Sequence, residues 1–177
     1  MPFGKRKCEH PVDRTPNILQ KGSTLMNNFI FQNATKVYFG KGCVKEYLTC
    51  LTKNANTILL AYGGGSIKKT GVYDEIAGIL KEAGKTMVEF SGIMSNPTYA
   101  KVQEGAKLAR ESGADMILAV GGGSVMDCCK AVSLAARYDG DIWEDFWARP
   151  GVIDLAPLPL GAVSYTHLRA HETTLHR

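Results

Sequence analysis

Short apolar runs of strand length alternate, along the middle of the chain, with segments that have helical periodicity. The runs are TILLAY (57–62), TMVEFS (86–91), DMILAV (115–120) and LAPLPLGAV (155–163), and KVYFGKG (36–42) predicts a further short strand that ends in glycines. Strands that alternate with helices are joined by right-handed crossovers, which give a mostly parallel sheet with helices on both faces. The pattern therefore predicts an α/β fold with a Rossmann-like layer.

The segment after the first strand carries the apolar stripe of an amphipathic helix. The stripe has the spacing i, i+4, i+7, i+8 and i+11 and consists of Val72, Ile76, Ile79, Leu80 and Ala83. Gly84 then stands where a C-terminal cap is expected.

A second helix is predicted between the second and third strands. Val102, Ala106 and Ala109 repeat the helical spacing. Asn96 is expected to cap the first amides of this helix, and Pro97 to occupy its first turn, where the missing N–H costs nothing.

Length, hydropathy and charge narrow the class of protein. The 177 residues suffice for one sizeable core, and no apolar run approaches the roughly 20 residues that span a bilayer. The N-terminal residues lack the apolar segment of a signal peptide, so we expect a cytoplasmic protein that does not bind a membrane. The formal net charge of +4 comes from the two ends, +3 in residues 1–25 and +1 in residues 164–177. Residues 26–163 are therefore neutral, which argues against a nucleic-acid-binding groove.

The two ends of the chain lack the regular sequence pattern of its middle. Proline interrupts any periodicity before Met26, which we interpret as the natural start, with residues 1–25 as a disordered or non-native extension. Residues 164–177 are interpreted as a non-native tail that follows a truncated reading frame. His167 and His171 in this tail have i, i+4 spacing but no third ligand nearby, so no metal site is predicted there. Five cysteines without CxxC spacing predict reduced thiols.

Two strand-to-helix junctions carry the same GGGS sequence, in ILLAYGGGSI (58–67) and MILAVGGGSV (116–125). Glycine tolerates φ > 0 and has no Cβ, so its N–H groups can converge on an anion at the start of a helix. The carboxyl ends of parallel strands meet at one edge of a sheet, so both loops are expected at one site, which suits a pyrophosphate. A glycine-rich turn without a ligand remains the alternative.

Two polar residues follow the second glycine loop. Ser124 is expected to cap the helix or to bond a phosphate oxygen. Asp127, one turn into the helix, is expected to support the loop or face the ligand, with a solvated helix residue as the alternative.

Several longer segments carry a resemblance to a known family. In chain order they are MNNFIFQNATKVYFGKG, YGGGSIKKTGVYDEI, SNPTYAKVQEGAKLARESGAD, LAVGGGSVMDCCKAVSLAARYDGDIW and LPLGAV. Together they resemble the N-terminal domain of iron-containing (group III) alcohol dehydrogenases, in the butanol dehydrogenase branch. The resemblance implies a dinucleotide-binding domain over residues 26–163.

The resemblance also implies an activity and further groups. The family's enzymes interconvert primary alcohols and aldehydes by hydride transfer with NAD(P), and a homodimer is expected for the full-length protein. A C-terminal all-helical domain of the family holds a divalent metal, iron or zinc, through one aspartate and three histidines. That domain is absent from this sequence, so no catalytic or metal-binding residue is predicted in it.

Cofactor-binding residues follow from the same resemblance. The second glycine loop holds the dinucleotide pyrophosphate and consists here of Gly121, Gly122, Gly123 and Ser124. The first loop lies near the adenosine ribose and consists of Gly63, Gly64, Gly65 and Ser66. Asn96 matches the asparagine of the family's NP motif, which also lies beside the cofactor.

The residues after the first strand bear on the choice of cofactor. NAD-selective sites place a carboxylate near the ribose, but no acid follows Tyr62 before Asp74. Small residues come first, and then Lys68 and Lys69, of which at least one could reach a 2′-phosphate. The sequence therefore predicts a preference for NADP(H) over NAD(H).

Two other functions remain open at this point. Dehydroquinate synthase-like lyases share the architecture and a GGGS loop, so the chain could be a fragment of such a lyase. A non-catalytic nucleotide-binding module is the second alternative.

Overall fold

A computed structural model describes residues 35–148 and 155–164. Its sheet consists of the parallel strands β1 (Thr57–Tyr62), β2 (Thr86–Phe90), β3 (Met116–Val120) and β4 (Leu160–Val163), in the order β2-β1-β3-β4. The helices are α1 (Cys43–Leu51), α2 (Ser66–Lys69), α3 (Val72–Glu82), α4 (Tyr99–Glu111) and α5 (Gly123–Ala135), followed by a π-helical turn at Trp143–Trp147. All of these elements belong to one unit of the chain, Val37–Arg177.

Some of the sequence predictions fall outside the described residues. They concern residues 1–25, the natural start at Met26, and the histidines 167 and 171 of the C-terminal segment. Within the described residues, none of the helices has the length and apolar character needed to cross a membrane.

The two central strands are buried on both faces, and alternate residues pack in opposite directions. On one face Leu59, Ala61, Ile117 and Ala119 pack with residues of α4 and α5, including Val102 and Val132. On the other face Ile58, Leu60, Leu118 and Val120 pack with residues of α1, α2 and α3, including Leu48, Ile67 and Ile76. The predicted parallel sheet with helices on both faces is thereby confirmed.

The edge of the sheet at which the strands begin is held together by Asp115. Its carboxylate accepts hydrogen bonds from the backbone N–H of Asn56 at 2.8 Å and from that of Thr57 at 3.2 Å. The backbone N–H of Asp115 in turn donates to the carbonyl oxygen of Thr57 at 3.0 Å. Asp115 therefore joins the start of β1 to the start of β3.

The first predicted helix begins and ends as its pattern indicates. Helix α3 buries Ile76 and Leu80 of the predicted stripe. Gly84 has φ = 68°, and the N–H of Lys85 donates to the carbonyl oxygen of Leu80 at 2.9 Å. The left-handed C-terminal cap is confirmed at Gly84.

The predicted start of the second helix is wrong by two residues. Asn96 has φ = 54°, a left-handed conformation, whereas an N-cap residue is extended. Thr98 has the extended conformation instead, and its Oγ1 accepts a hydrogen bond from the N–H of Lys101 at 3.3 Å. The helix therefore begins at Tyr99, with Pro97 outside it.

The predicted strand at 36–42 is absent from the described residues. Val37 and Phe39, the alternating apolar residues of this segment, are 76% and 89% exposed. Since neither side chain packs into the core, burial does not hold the segment in the sheet. At the other end of the domain the predicted strand shortens to Leu160–Val163, because Pro157 and Pro159 lack the N–H that a ladder needs.

Gly105 in α4 offers a test of the packing between α4, β2 and α5. A Cβ at this position would lie 2.7 Å from the Cε1 of Phe90 and 2.9 Å from the Cγ2 of Val132. We expect Gly105→Ala to lower the free energy of unfolding by about 1–3 kcal/mol, measured by urea denaturation.

Gly78 in α3 is the matched control, because no atom lies within 4 Å of its added Cβ. Gly78→Ala should raise the free energy of unfolding by about 0.5–1 kcal/mol through helix propensity. A Gly105→Ala variant as stable as Gly78→Ala would contradict the packing described.

Candidate functional site

A cleft of about 230 Å³ opens where the strands end, lined by residues of three loops. Gly63 and Ser66 come from the loop after β1, Ile93 to Ser95 from the loop after β2, and Gly121 to Ser124 from the loop after β3. The chain leaves β1 for β2 on one side and then returns to β3 on the other side of β1. The cleft therefore lies at the topological switch point of the sheet, where open α/β sheets bind their ligands.

Backbone hydrogen bonds hold the three loops in place. The N–H of Gly92 donates to the carbonyl oxygen of Gly63 at 3.0 Å, and the N–H of Ile93 to that of Tyr62 at 3.3 Å. The N–H of Gly121 donates to the carbonyl oxygen of Val163 at 3.0 Å. These bonds extend the pairing of the strands into the cleft, and both GGGS loops lie at the same edge of the sheet, as predicted.

The first glycine of the second loop is required by the fold. Gly121 has φ = 156°, and a Cβ there would lie 2.8 Å from the Cγ2 of Val125. A side chain at this position would therefore push against the first turn of α5.

Four other glycines of the two loops are not required by the fold, whereas a Cβ at Gly63 would lie 3.0 Å from the carbonyl oxygen of Ile93. Gly122 and Gly123 have no protein atom within 4 Å of an added Cβ, and neither has a left-handed φ. The same holds for Gly64 and Gly65 of the first loop. Neither backbone strain nor crowding explains glycine at these four positions, whereas close approach of a ligand to the backbone would.

The second loop presents unpaired amides at the start of α5. Within the described part of the chain, the N–H groups of Gly122, Gly123 and Ser124 have no acceptor, and pairing begins with the N–H of Val125, which donates to the carbonyl oxygen of Gly122 at 3.1 Å. The first turn of α5 contains no acidic residue. The helix therefore offers donors and a partial positive charge to an anion.

The structure bears on the alternatives predicted for two polar residues of α5. Of the two roles predicted for Ser124, helix capping is wrong, because α5 begins at Gly123 and its N-cap is Gly122, without a side-chain cap. The contact of Ser124 with a phosphate oxygen stays a prediction. Asp127 is 69% exposed in its side chain and pairs with Lys130 at 3.1 Å, and it does not line the cleft. The position of Asp127 thus fits the alternative of a solvated helix residue.

The loop after β2 contributes cleft residues that sequence reasoning missed. Ile93, Met94 and Ser95 line the cleft, whereas Asn96, the predicted residue of this loop, follows them without lining it. A signal was available, because these residues come directly after a parallel strand that ends at the same edge of the sheet.

Two lysines follow the first loop in sequence, and an acid from β2, Glu89, lies beside one of them. Sequence reasoning missed this acid. Lys68 and Lys69 form the second half of α2, and neither lines the cleft. The Nζ of Lys68 lies 3.3 Å from Oε2 of Glu89, the fourth residue of β2. Glu89 does not follow β1 in sequence, but β2 is paired with β1 and brings Glu89 beside Lys68.

The two adjacent cysteines of α5 are inert. Cys128 and Cys129 are buried, and burial raises the pKa of both thiols, that of Cys129 to about 12. Both thiols are therefore protonated at neutral pH and are not nucleophiles. The four cysteines of the described residues are free thiols, as predicted.

The described residues do not fit a metal ion. No three His, Cys, Asp or Glu side chains in residues 35–148 and 155–164 lie close enough together to hold one.

Comparison with known proteins assigns the chain to a family. Residues 34–174 match the family model of the iron-containing alcohol dehydrogenases. The chain belongs to this family. The assignment confirms the resemblance found in the sequence and favours a dehydrogenase over a lyase.

The names of individual relatives specify a nicotinamide cofactor. The chain is 46% identical over 138 residues to the probable NADH-dependent butanol dehydrogenase 2 of Bacillus subtilis, a match that covers 78% of this chain and 35% of that protein. It is 43% identical over 117 residues to the NADPH-dependent aldehyde reductase YqhD of Escherichia coli, which covers 66% of this chain and 30% of that protein. The chain thus spans about a third of the length of these relatives.

A solved structure agrees with the fold. The NADH-dependent butanol dehydrogenase A of Thermotoga maritima superposes with a TM-score of 0.70 at 42% identity, covering 77% of this chain and 34% of that chain. The Rossmann-like layer predicted from the sequence is the fold of this alcohol dehydrogenase domain.

Gly123 tests whether the open space in the second loop is kept for a ligand. Because no protein atom approaches its added Cβ, we expect Gly123→Ala to fold as well as the original chain. The methyl group should nevertheless obstruct a dinucleotide and weaken its affinity about tenfold, a loss typical of overpacking. NADPH fluorescence titration measures the affinity, and thermal unfolding measures the stability.

Gly121→Ala is the matched control, since its Cβ meets Val125 and should lower the melting temperature. Unchanged nucleotide affinity in Gly123→Ala would mean that this glycine does not serve ligand approach.

Proposed function

We propose that the chain is the cofactor-binding half of an NAD(P)-dependent, butanol dehydrogenase-like alcohol dehydrogenase that interconverts primary alcohols and aldehydes by hydride transfer. The observation that carries this proposal is the second glycine loop. It combines unpaired amides at the start of α5 with glycines that the fold itself does not require.

The chemistry of the second loop fits a pyrophosphate. The N–H groups of Gly122, Gly123 and Ser124 would donate to its oxygens, and the partial positive charge of α5 would favour its negative charge. At about 230 Å³ the cleft is smaller than the roughly 300–1,000 Å³ of typical ligand sites, so it encloses only part of a dinucleotide. The nicotinamide ring, when bound, gives or takes the hydride. The residues of the cleft bind the cofactor and orient it.

The outer parts of the cofactor are assigned by the same proposal. With its pyrophosphate at the second loop, a dinucleotide that crosses β1 passes over the first loop, Gly63 to Ser66, toward Lys68 and Lys69. Open space at Gly64 and Gly65 supports close approach there. Asn96 adjoins the cleft residue Ser95, and its left-handed backbone, an uncommon conformation for a side-chain-bearing residue, supports a functional role.

Binding and turnover can be measured on the same 177-residue chain. We expect saturable NADPH binding, but no butanal-dependent NADPH oxidation above background, because the residues assigned here only bind and orient. The full-length butanol dehydrogenase 2 of B. subtilis, assayed with added ferrous or zinc ion, serves as the positive control.

Each outcome of this assay separates one interpretation from another. A chain that binds neither NADPH nor NADH would refute the cofactor-binding proposal. Turnover comparable with the full-length control would show that catalytic groups lie within this sequence. Binding without turnover also describes a nucleotide-binding module, but the family assignment favours a part of a dehydrogenase.

We further propose a preference for NADP(H) over NAD(H). Support comes from the small residues of the first loop and from two lysines in α2 that directly follow it. The relatives named above include NADH-dependent and NADPH-dependent proteins, so this preference is a property to be measured on the chain itself.

The double variant Lys68→Ala, Lys69→Ala tests the preference. Removal of both cations should weaken NADP⁺ binding about fivefold or more and leave NAD⁺ binding unchanged, because only NADP⁺ carries the 2′-phosphate. Isothermal titration gives both dissociation constants. Equal dissociation constants for NADP⁺ before and after the substitutions would refute the role of the lysines.

A further inference from the structure

Four polar side chains beside the first glycine loop form one hydrogen-bonded group, which we call the Glu89 cluster: Tyr62, Lys68, Tyr73 and Glu89. Tyr62 ends β1 and directly precedes the loop, whereas Lys68 lies in α2, just after it. Tyr73 comes from α3 and Glu89 from β2. The cluster thus brings four elements together at the border of the cleft.

The carboxylate of Glu89 is the centre of the cluster. Its Oε2 accepts a hydrogen bond from the hydroxyl of Tyr62, and its Oε1 accepts one from the hydroxyl of Tyr73. The Nζ of Lys68 donates to Oε2 at 3.3 Å. The hydroxyl of Tyr62, then that of Tyr73, and then Lys68 lower the pKa of Glu89, so the carboxylate is ionised at neutral pH.

Aromatic rings also hold the ammonium group of Lys68. Its Nζ lies 4.5 Å from the ring centroid of Tyr73 and 5.4 Å from that of Tyr62. The side chains of Lys68 and Glu89 are still 49% and 39% exposed, so both charges are partly accessible from solvent. Lys68 is therefore restrained by Glu89 and yet able to meet a ligand.

We propose that Glu89 is a positioning residue that limits how strongly Lys68 attracts the 2′-phosphate of a bound nucleotide. The inference rests on the proposed function, because it requires a nucleotide whose ribose lies at the first loop. Glu89 pairs with Lys68, the cation that would otherwise attract the 2′-phosphate. The negative charge of Glu89 also repels the 2′-phosphate, which carries nearly two negative charges. A 2′-hydroxyl is neutral and does not experience this repulsion. Glu89 thus reduces the difference in affinity between NADP(H) and NAD(H), so that NAD(H) also binds.

A purely structural role for Glu89 makes a different prediction. Tyr62 is 4% exposed, and its hydroxyl needs a hydrogen-bond partner, which Glu89 provides. If this were the whole role of Glu89, its substitution would lower the stability of the protein and reduce the affinities for NADP⁺ and NAD⁺ by the same factor. The ratio of the two affinities separates the two roles.

The test is a double-mutant cycle on the 177-residue chain, with NADP⁺ and NAD⁺ as probes in isothermal titration. Glu89→Gln keeps the shape and one acceptor oxygen but removes the charge, and its amide NH2 can donate to the tyrosine that loses its acceptor. We expect the affinity ratio of NADP⁺ to NAD⁺ to rise about threefold or more, in line with the strength of exposed ion pairs. In the Lys68→Ala background the same substitution should raise the ratio less, because only the direct repulsion between Glu89 and the phosphate is then removed.

Lys69→Ala provides the matched background, since the neighbouring lysine makes no ion pair with Glu89 in the described structure. In the Lys69→Ala background, Glu89→Gln should still raise the affinity ratio of NADP⁺ to NAD⁺. An unchanged ratio in Glu89→Gln, with both nucleotides still bound, would overturn the role of Glu89 and leave the proposed function standing. If the affinities for both nucleotides fall by the same factor and the melting temperature is lower, Glu89 has the structural role instead. Absence of binding by the original chain would overturn both proposals.

Discussion

The pairing of β1 with β3 is the interaction on which the rest of the domain depends. In this parallel ladder Tyr62 is opposite Val120, so the two strands end at the same level and their glycine loops leave the sheet side by side. A shift of one residue would turn Leu59 and Ala61 away from α4 and α5 and exchange the faces of the strand. Burial of both faces therefore fixes the register, and the register places the loops. The cleft is a consequence of core packing.

The fold accounts for some glycines of α4 and of the two GGGS loops and not for others. Gly105 and Gly121 are surrounded closely by protein atoms, so the fold accounts for them. Gly64, Gly65, Gly122 and Gly123 have open space and ordinary backbone angles, so the fold does not account for them. Because these four glycines follow two parallel strands that end at the cleft, close approach of a ligand to the backbone is the proposed reason for them. This distinction requires coordinates, because the sequence shows only two identical GGGS stretches.

The sequence predicts most of the fold because local patterns and burial agree. The runs at β1, β2 and β3 and the stripe of α3 each have one face or both faces to bury, and each forms the expected element. The strand expected at 36–42 is absent from the described residues, since Val37 and Phe39 are not buried. The N-cap expected at Asn96 lies instead at Thr98, because local sequence does not reveal that Asn96 is left-handed. Glu89 was missed for a related reason: its proximity to Lys68 arises from the pairing of β2 with β1, which no window of sequence around Lys68 contains.

The position of Asp115 has a consequence for how such a domain can change over generations. Its carboxylate joins β1 and β3 at the edge where the strands begin, opposite to the cleft. The alignment of the central strands is thus secured at one edge, while the groups that would meet a ligand belong to the other. Substitutions at loop positions with open space, such as Gly122 and Gly123, can therefore leave the alignment of the sheet unchanged.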